Sequence, residues 1–238
     1  MKINWGIIKL VLVLLITGVL FGFARERNKV RTISKIDIQF TDENSPFITL
    51  SAVNKLLIQN NDSVTSIPKE ILVLKEMESR LTQHPMVRDA QVFITIDGSL
   101  GAKIEQRNPI ARVLGTQSFY IDEDGKKMPL STVYSARVPT VTGTSKTNFT
   151  ELTPLLLQLK NDPFMSQIVA GIHQKPNGDV ELLLRKEDFK VGFGTVKNIE
   201  KKFQNFKAFF QKAKKDNTLG VYKTVNLQFG SQVVATKK

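Results

Sequence analysis

The sequence predicts an α+β protein: a single-pass membrane anchor, then a β-α-α-β-β domain, then a mixed α/β domain with a C-terminal strand. Three observations carry this reading. An apolar run close to the first residue is long enough to cross a bilayer. Residues 32–107 switch between a two-residue and a helical hydrophobic period in the order β-α-α-β-β. From residue 108 onward, short alternating segments, tight-turn dipeptides and two helix-period stripes follow one another without an internal repeat or a long Gly/Ser linker.

The apolar run covers residues 7–24 and reads IIKLVLVLLITGVLFGFA. With Trp5 and Gly6 it approaches the roughly 20 residues that a helix needs to span the hydrocarbon core. Trp5 is placed as an interfacial anchor, and Lys9 is near enough to one end for its ammonium to reach the headgroups. Phe23 closes the run before Arg25 and Arg27. Gly22-Phe23-Ala24 is a small-x-small triplet that a signal peptidase would accept, but the run exceeds the usual h-region of about 7–15 residues, which favours a retained anchor. Lys2 and Lys9 lie toward one side, and Arg25, Arg27, Lys29 and Arg31 toward the other, so the charge count argues against exporting the bulk. An N-in orientation is preferred all the same, with residues 1–6 as a short cytoplasmic tail, because no later apolar span returns the chain.

In the first domain, Ile36, Ile38 and Phe40 alternate with polar residues as a strand over 32–40. A helix is expected over 48–58 from the spacing of Val53, Leu56 and Leu57. A polar loop follows, and Pro68 suits the first turn of a second helix through Ile71, Leu74, Met77 and Leu81, which Pro85 ends. Residues 87–96 and 100–107 flank Asp97-Gly98, a strong hairpin signal. In the second domain, residues 108–230, strands are expected at 110–114, 118–122, 137–142, 168–174, 179–185, 189–194 and 222–229. Helices are expected at 149–160, closed by Asn161-Asp162-Pro163, and after Asn198, whose side chain is positioned to cap the helix. That helix carries Ile199, Phe203, Phe206, Phe210 and Ala213 on one stripe, with Lys201, Lys202, Lys212, Lys214 and Lys215 mostly off it. Packing on a sheet is preferred to a membrane-surface role because strands flank it. Residues 231–238 read as a tail.

Composition narrows the function. The absence of cysteine excludes a disulfide scaffold and a thiolate zinc site. The net charge of +12 is concentrated from Arg185 to Lys238, where 13 Lys and Arg face 4 Asp and Glu. Such a stretch fits an anionic partner or a solvated helix face. Nucleic acid is disfavoured for want of an aromatic-rich binding motif. The two histidines, His84 and His173, fall in different domains, and no nucleophile-elbow, Walker, zincin or dinucleotide pattern is present. No catalytic, cofactor-binding or metal-ligating residue is assigned, and the protein is read as a non-enzyme.

Four local motifs then stand in order. These are Pro85-Met86-Val87-Arg88-Asp89-Ala90-Gln91-Val92, Glu105-Gln106-Arg107-Asn108-Pro109-Ile110-Ala111-Arg112, Tyr120-Ile121-Asp122-Glu123-Asp124-Gly125 and Val138-Pro139-Thr140-Val141-Thr142-Gly143. Together with the anchor and the β-α-α-β-β order, they resemble the FtsQ/DivIB family of bacterial cell-division proteins. Met86 departs from that family's usual aromatic residue, and the N-terminal tail is shorter than in many members.

The resemblance implies a POTRA domain at 32–107, marked by Pro85, Val87 and Arg88, and a β domain after it. It also implies N-in topology in the bacterial inner membrane, a place at the division septum, and no catalysis. The implied partners are FtsB/DivIC-type and FtsL-type bitopic division proteins, with other divisome proteins, caught by strand addition to an edge of the β domain. On this sequence that maps to Val225, Asn226, Leu227, Gln228, Phe229, Gly230, Ser231, Gln232, Val233 and Val234. Leu227, Phe229 and Val233 are the implied anchors. The competing readings are an exported POTRA-containing transport or assembly component, which ordinarily carries several such domains or a barrel, and a binder of anionic ligands.

Overall fold

The computed structural model describes residues 5–29, 35–42, 46–58, 73–143, 149–230 and 232–238. The expected strand start at 32–34, the loop and helix start containing Pro68 and Ile71, and Ser231 lie outside the described residues. The chain divides into two compact units, the first of residues 1–44 and 48–106, the second of residues 45–47 and 107–238.

The first unit begins with helix α1 (Trp5–Lys29). Residues 8–27 of α1 have the length and apolar composition of a membrane span, and none of that stretch is buried against protein. Trp5 and Phe23 are 73% and 65% exposed. Beyond it, β1 (Ile36–Phe40), α2 (Leu50–Ile58), α3 (Leu74–Gln83), β2 (Val87–Ile94) and β3 (Leu100–Gln106) reproduce the expected order. The sheet runs β1-β3-β2, with β1 parallel and β2 antiparallel to β3. Ala90, Val92, Ala102 and Ile104 of the sheet and Val53, Leu57, Met77 and Leu81 of the helices are all buried, and α3 packs against both β2 and α2. Met86 is buried in the turn after α3, so it takes up the apolar position without the aromatic ring. Pro85 is exposed in that turn, Val87 is fully buried, and exposed Arg88 pairs with Glu105 at 3.1 Å, a pair of small energetic weight.

The second unit holds a nine-stranded mixed sheet. Its strands are β4 (Pro109–Val113), β5 (Phe119–Asp122), β6 (Lys127–Met128), β7 (Thr140–Thr142), β8 (Val169–Gln174), β9 (Val180–Leu184), β10 (Lys190–Gly194), β11 (Tyr222–Asn226) and β12 (Val234–Lys237), in the order β12-β11-β10-β9-β8-β7-β4-β5-β6. Helices α4 (Thr153–Asn161), α5 (Pro163–Ile168) and α6 (Ile199–Lys215) supply the other half of its core: Leu155, Leu156, Leu159, Met165, Phe203, Phe206 and Phe210 close over Ile121, Val141, Ile172, Leu182, Val191 and Val225. The apolar stripe of α6 is therefore spent on the sheet and not on a membrane.

Four local expectations are corrected. Asn161-Asp162-Pro163 does not simply end a helix; it also starts α5, since the Asp162 carboxylate accepts from the amides of Phe164 and Met165 at 3.0 Å and Pro163 fits the first helical position. Asn198 stands at the N-terminus of α6 in a left-handed conformation (φ 51°), with no side-chain cap bond. An asparagine tolerates that backbone region, so here it supplies the bend and not the acceptor. Lys202 does not point to solvent but is buried. Residues 231–238 are not a tail throughout, because Val234–Lys237 forms β12.

The motif residues acquire physical roles. Gly143 has φ +81°, and a Cβ there would sit 2.3 Å from the carbonyl oxygen of Gln174. Only glycine fits the end of that motif. Gly143→Ala is expected to cost about 3 kcal/mol, from left-handed strain plus the backbone clash. Urea unfolding of the variant checks this; a loss below about 1 kcal/mol contradicts it.

Candidate partner-binding edge of the second sheet

The C-terminal end of the large sheet is assembled by a parallel crossover. β10 and β11 pair in parallel, Val191 opposite Val225, and α6 makes the connection between them. Lys202 on α6 locks that connection. Its Nζ donates to the carbonyls of Phe193 at 2.8 Å and Thr195 at 2.7 Å and lies 4.4 Å from the centre of the Phe193 ring. Burial holds the Lys202 ammonium below the ordinary lysine range. Across the window between the lowered folded pKa and the ordinary unfolded one, the unfolded chain binds the extra proton, so stability rises with pH there. The thermal midpoint of the parent chain relative to Lys202→Met should therefore climb as pH rises through that window toward about 10.4; a flat difference contradicts it.

β11 then meets β12 antiparallel, with Thr224 opposite Thr236, Val225 opposite Ala235 and Asn226 opposite Val234. This corrects the placement of the edge. The strand at 222–229 is internal, flanked by β10 and β12, and ends at Asn226. Val225 and Leu227 are buried in the core at 0% and 1% exposure, so neither side chain is open to a partner. The Leu227 amide donates to the Gly192 carbonyl at 2.8 Å and extends the sheet by one more bond.

The connection that follows carries exposed groups. Asn226 is half-buried, and its side-chain oxygen accepts from the Gln228 amide at 2.8 Å. Gln228 lies over Gly194, where a Cβ would have to push that side chain aside. Phe229 is 47% exposed, Gly230 has open space around it, and Gln232 is exposed. Val233 and Ala235 turn half-buried toward the core, while Val234 is 41% exposed on the opposite side.

Among the described residues β12 pairs on one side only. Its outward backbone groups follow from alternation. The amide of Lys238 donates to the carbonyl of Val221 at 2.9 Å, so Lys238, Thr236 and Val234 address β11. Ala235 and Lys237 consequently direct their N–H and C=O groups to the open edge. The other sheet ends differ. β2 has its Val92 amide bonded to the Glu78 carboxylate at 2.9 Å, β6 is two residues long, and β1 alternates Asp37 and Gln39 on its exposed face.

The sequence missed Ala235, Thr236 and Lys237 as part of this edge. The signal available was the β-branched run Val233-Val234 with Thr236 following Gly230, short but of high strand propensity. His84 and His173 hold structural positions: His84 Nδ1 accepts from the Met86 amide at 3.3 Å, and His173 Nδ1 lies 3.1 Å from Thr142 Oγ1.

Comparison with known families agrees with this architecture. Residues 108–236 match the family described as "FtsQ/DivIB, C-terminal related", and residues 31–105 match the POTRA-like domain. No curated protein matches the chain. The FtsQ/DivIB match alone covers more than half of the 238 residues and takes in β4 to β11 and most of β12, and the chain belongs to the FtsQ/DivIB family of membrane-anchored cell-division proteins.

Proposed function

We propose that this protein is a non-catalytic divisome scaffold that captures the extracytoplasmic segments of FtsB/DivIC-type and FtsL-type partners by strand addition to β12. One observation carries the reading: β12 presents the free backbone groups of Ala235 and Lys237 along an edge that the fold leaves open among the described residues. Main-chain pairing supplies affinity, and side chains on either side supply selection. Val234 and Phe229 offer exposed apolar contacts beside that edge. Lys223, Lys237 and Lys238 are exposed around it, which favours an acidic partner segment and opposes self-pairing of like-charged edges. The anchor lies N-in, with both domains outside the cytoplasm at the division septum.

A photo-crosslinking scan over positions 232–238 in dividing cells tests this. Capture of a bitopic division protein with a two-residue alternation in yield is expected. Capture of no protein, or of lipid alone, contradicts the scaffold reading.

A further inference from the structure

The hairpin that joins β2 to β3 ends in an isolated apolar side chain. Its tip, Thr95 to Ser99, carries Ile96, which is 98% exposed. Ile96 is the most exposed of the large apolar side chains among the described residues, and it stands on a turn held by its own hydrogen bonds. The Thr95 amide donates to the Ser99 carbonyl at 2.9 Å, the Ser99 amide to Thr95 Oγ1 at 3.0 Å, and Ser99 Oγ to Asp97 Oδ2 at 2.9 Å. Hydrogen bonds from Thr95 and Ser99 hold the Asp97 carboxyl below its ordinary range, and Lys35 is the cation that faces it. The tip's one acidic group is thus tied back while Ile96 projects.

Chain direction says what Ile96 projects toward. β1 runs parallel to β3 with Ile36 opposite Leu100, and the Leu100 amide donates to the Lys35 carbonyl at 2.9 Å. The first residue of the sheet therefore lies beside the hairpin tip, and the tip protrudes past it on the side from which the chain arrives. That chain comes from the membrane span. Six peptide steps separate Lys29, the last residue of α1, from Lys35. Fully extended, they reach at most about 20 Å. Val73, 51% exposed, lies at the same end, since α3 runs antiparallel to β2 and finishes beside its first residue. In sequence, Arg25, Arg27, Lys29, Arg31 and Lys35 follow the apolar run with Glu26 as the one acidic residue among them, a cationic bias that anionic headgroups attract.

We infer that Ile96 seats in the headgroup boundary of the bilayer that holds α1, and that this contact orients the POTRA-like domain over the membrane. The inference rests on the anchor reading, so its test reports on both. The chain has no cysteine, which permits single-site labels in the full-length protein. Bimane is placed at Ile96→Cys, at Gln83→Cys on the far end of the domain, and at Val13→Cys in the span. Each chain is reconstituted into phosphatidylethanolamine/phosphatidylglycerol vesicles containing doxyl-labelled lipid. Quenching of the label at position 96 several-fold above that at position 83, and stronger with shallow than with deep doxyl, is expected. A label at Lys35→Cys should lose its quenching when Ile96→Asp is added, with an unchanged thermal midpoint. Quenching at position 13 with none at position 96 overturns the contact while leaving the anchor; no quenching at position 13 overturns the anchor and the contact together.

Discussion

Asp122→Ala is expected to cost about 3–5 kcal/mol of folding stability, the usual result of removing one partner from a buried ion pair. The Asp122 side chain is 2% exposed and sits 2.6 Å from Nη1 of Arg107, itself 13% exposed. Its other oxygen accepts from the amides of Lys126 at 2.7 Å and Asp124 at 3.0 Å. Alanine strands the Arg107 charge and both amides. The more distant Asp124 carboxylate, 3.8 Å from Arg107, replaces little of the lost interaction. Asp122→Asn keeps the shape and an acceptor for the turn amides, so its loss should be smaller. For a domain of this size, a loss of 3–5 kcal/mol lowers the thermal midpoint by roughly 10 °C. Calorimetry of the two variants beside the parent checks the ranking; Asp122→Ala within 2 °C of the parent, on the order of 0.5–1 kcal/mol, contradicts it. Asp122 and Arg107 come from two different sequence motifs, and their contact gives those motifs a common structural reason.

The second large effect falls on binding. Ala235→Pro removes the one outward amide donor at the middle of the β12 edge and places a ring where a partner strand would lie. Losing that hydrogen bond and leaving the partner's carbonyl unsatisfied costs about 1–3 kcal/mol, a loss of partner affinity of roughly ten- to a hundredfold. The bonds from β12 to β11 are untouched, because the Ala235 amide does not serve that pairing. Thr236→Pro is the contrast, since it breaks a bond to β11 and should lower the thermal midpoint as well. Titration of each variant with the extracytoplasmic segment of the bitopic partner, beside a melting curve, separates the two. Full affinity in Ala235→Pro, or an equal loss of stability in both, contradicts the edge assignment.

Much of this architecture was legible in the sequence because it is set by local pattern. The alternation at Ile36, Ile38 and Phe40, the Asp97-Gly98 turn and the phenylalanine stripe of α6 are each decided within a few residues. What was not legible depends on how segments meet once folded, or on local signals that serve two outcomes equally. Val225 to Phe229 alternates whether it is an edge or an internal strand, and only the return of Val234–Lys237 to its outer side decides the matter. Lys202 reads as a surface lysine because the carbonyls of Phe193 and Thr195 that receive it come from the strand end and loop before the helix. Asp162-Pro163 serves equally as a stop for α4 and a start for α5, and the sequence does not distinguish the two.

Amide hydrogen exchange reads strand addition at β12 residue by residue. In the full-length chain alone, the amides of Ala235 and Lys237 should exchange freely while those of Thr236 and Lys238, bonded to β11, are slowed. With saturating partner segment, Ala235 and Lys237 should become protected by an order of magnitude or more. Tight capture that leaves those two amides exchanging as before would contradict strand addition at β12.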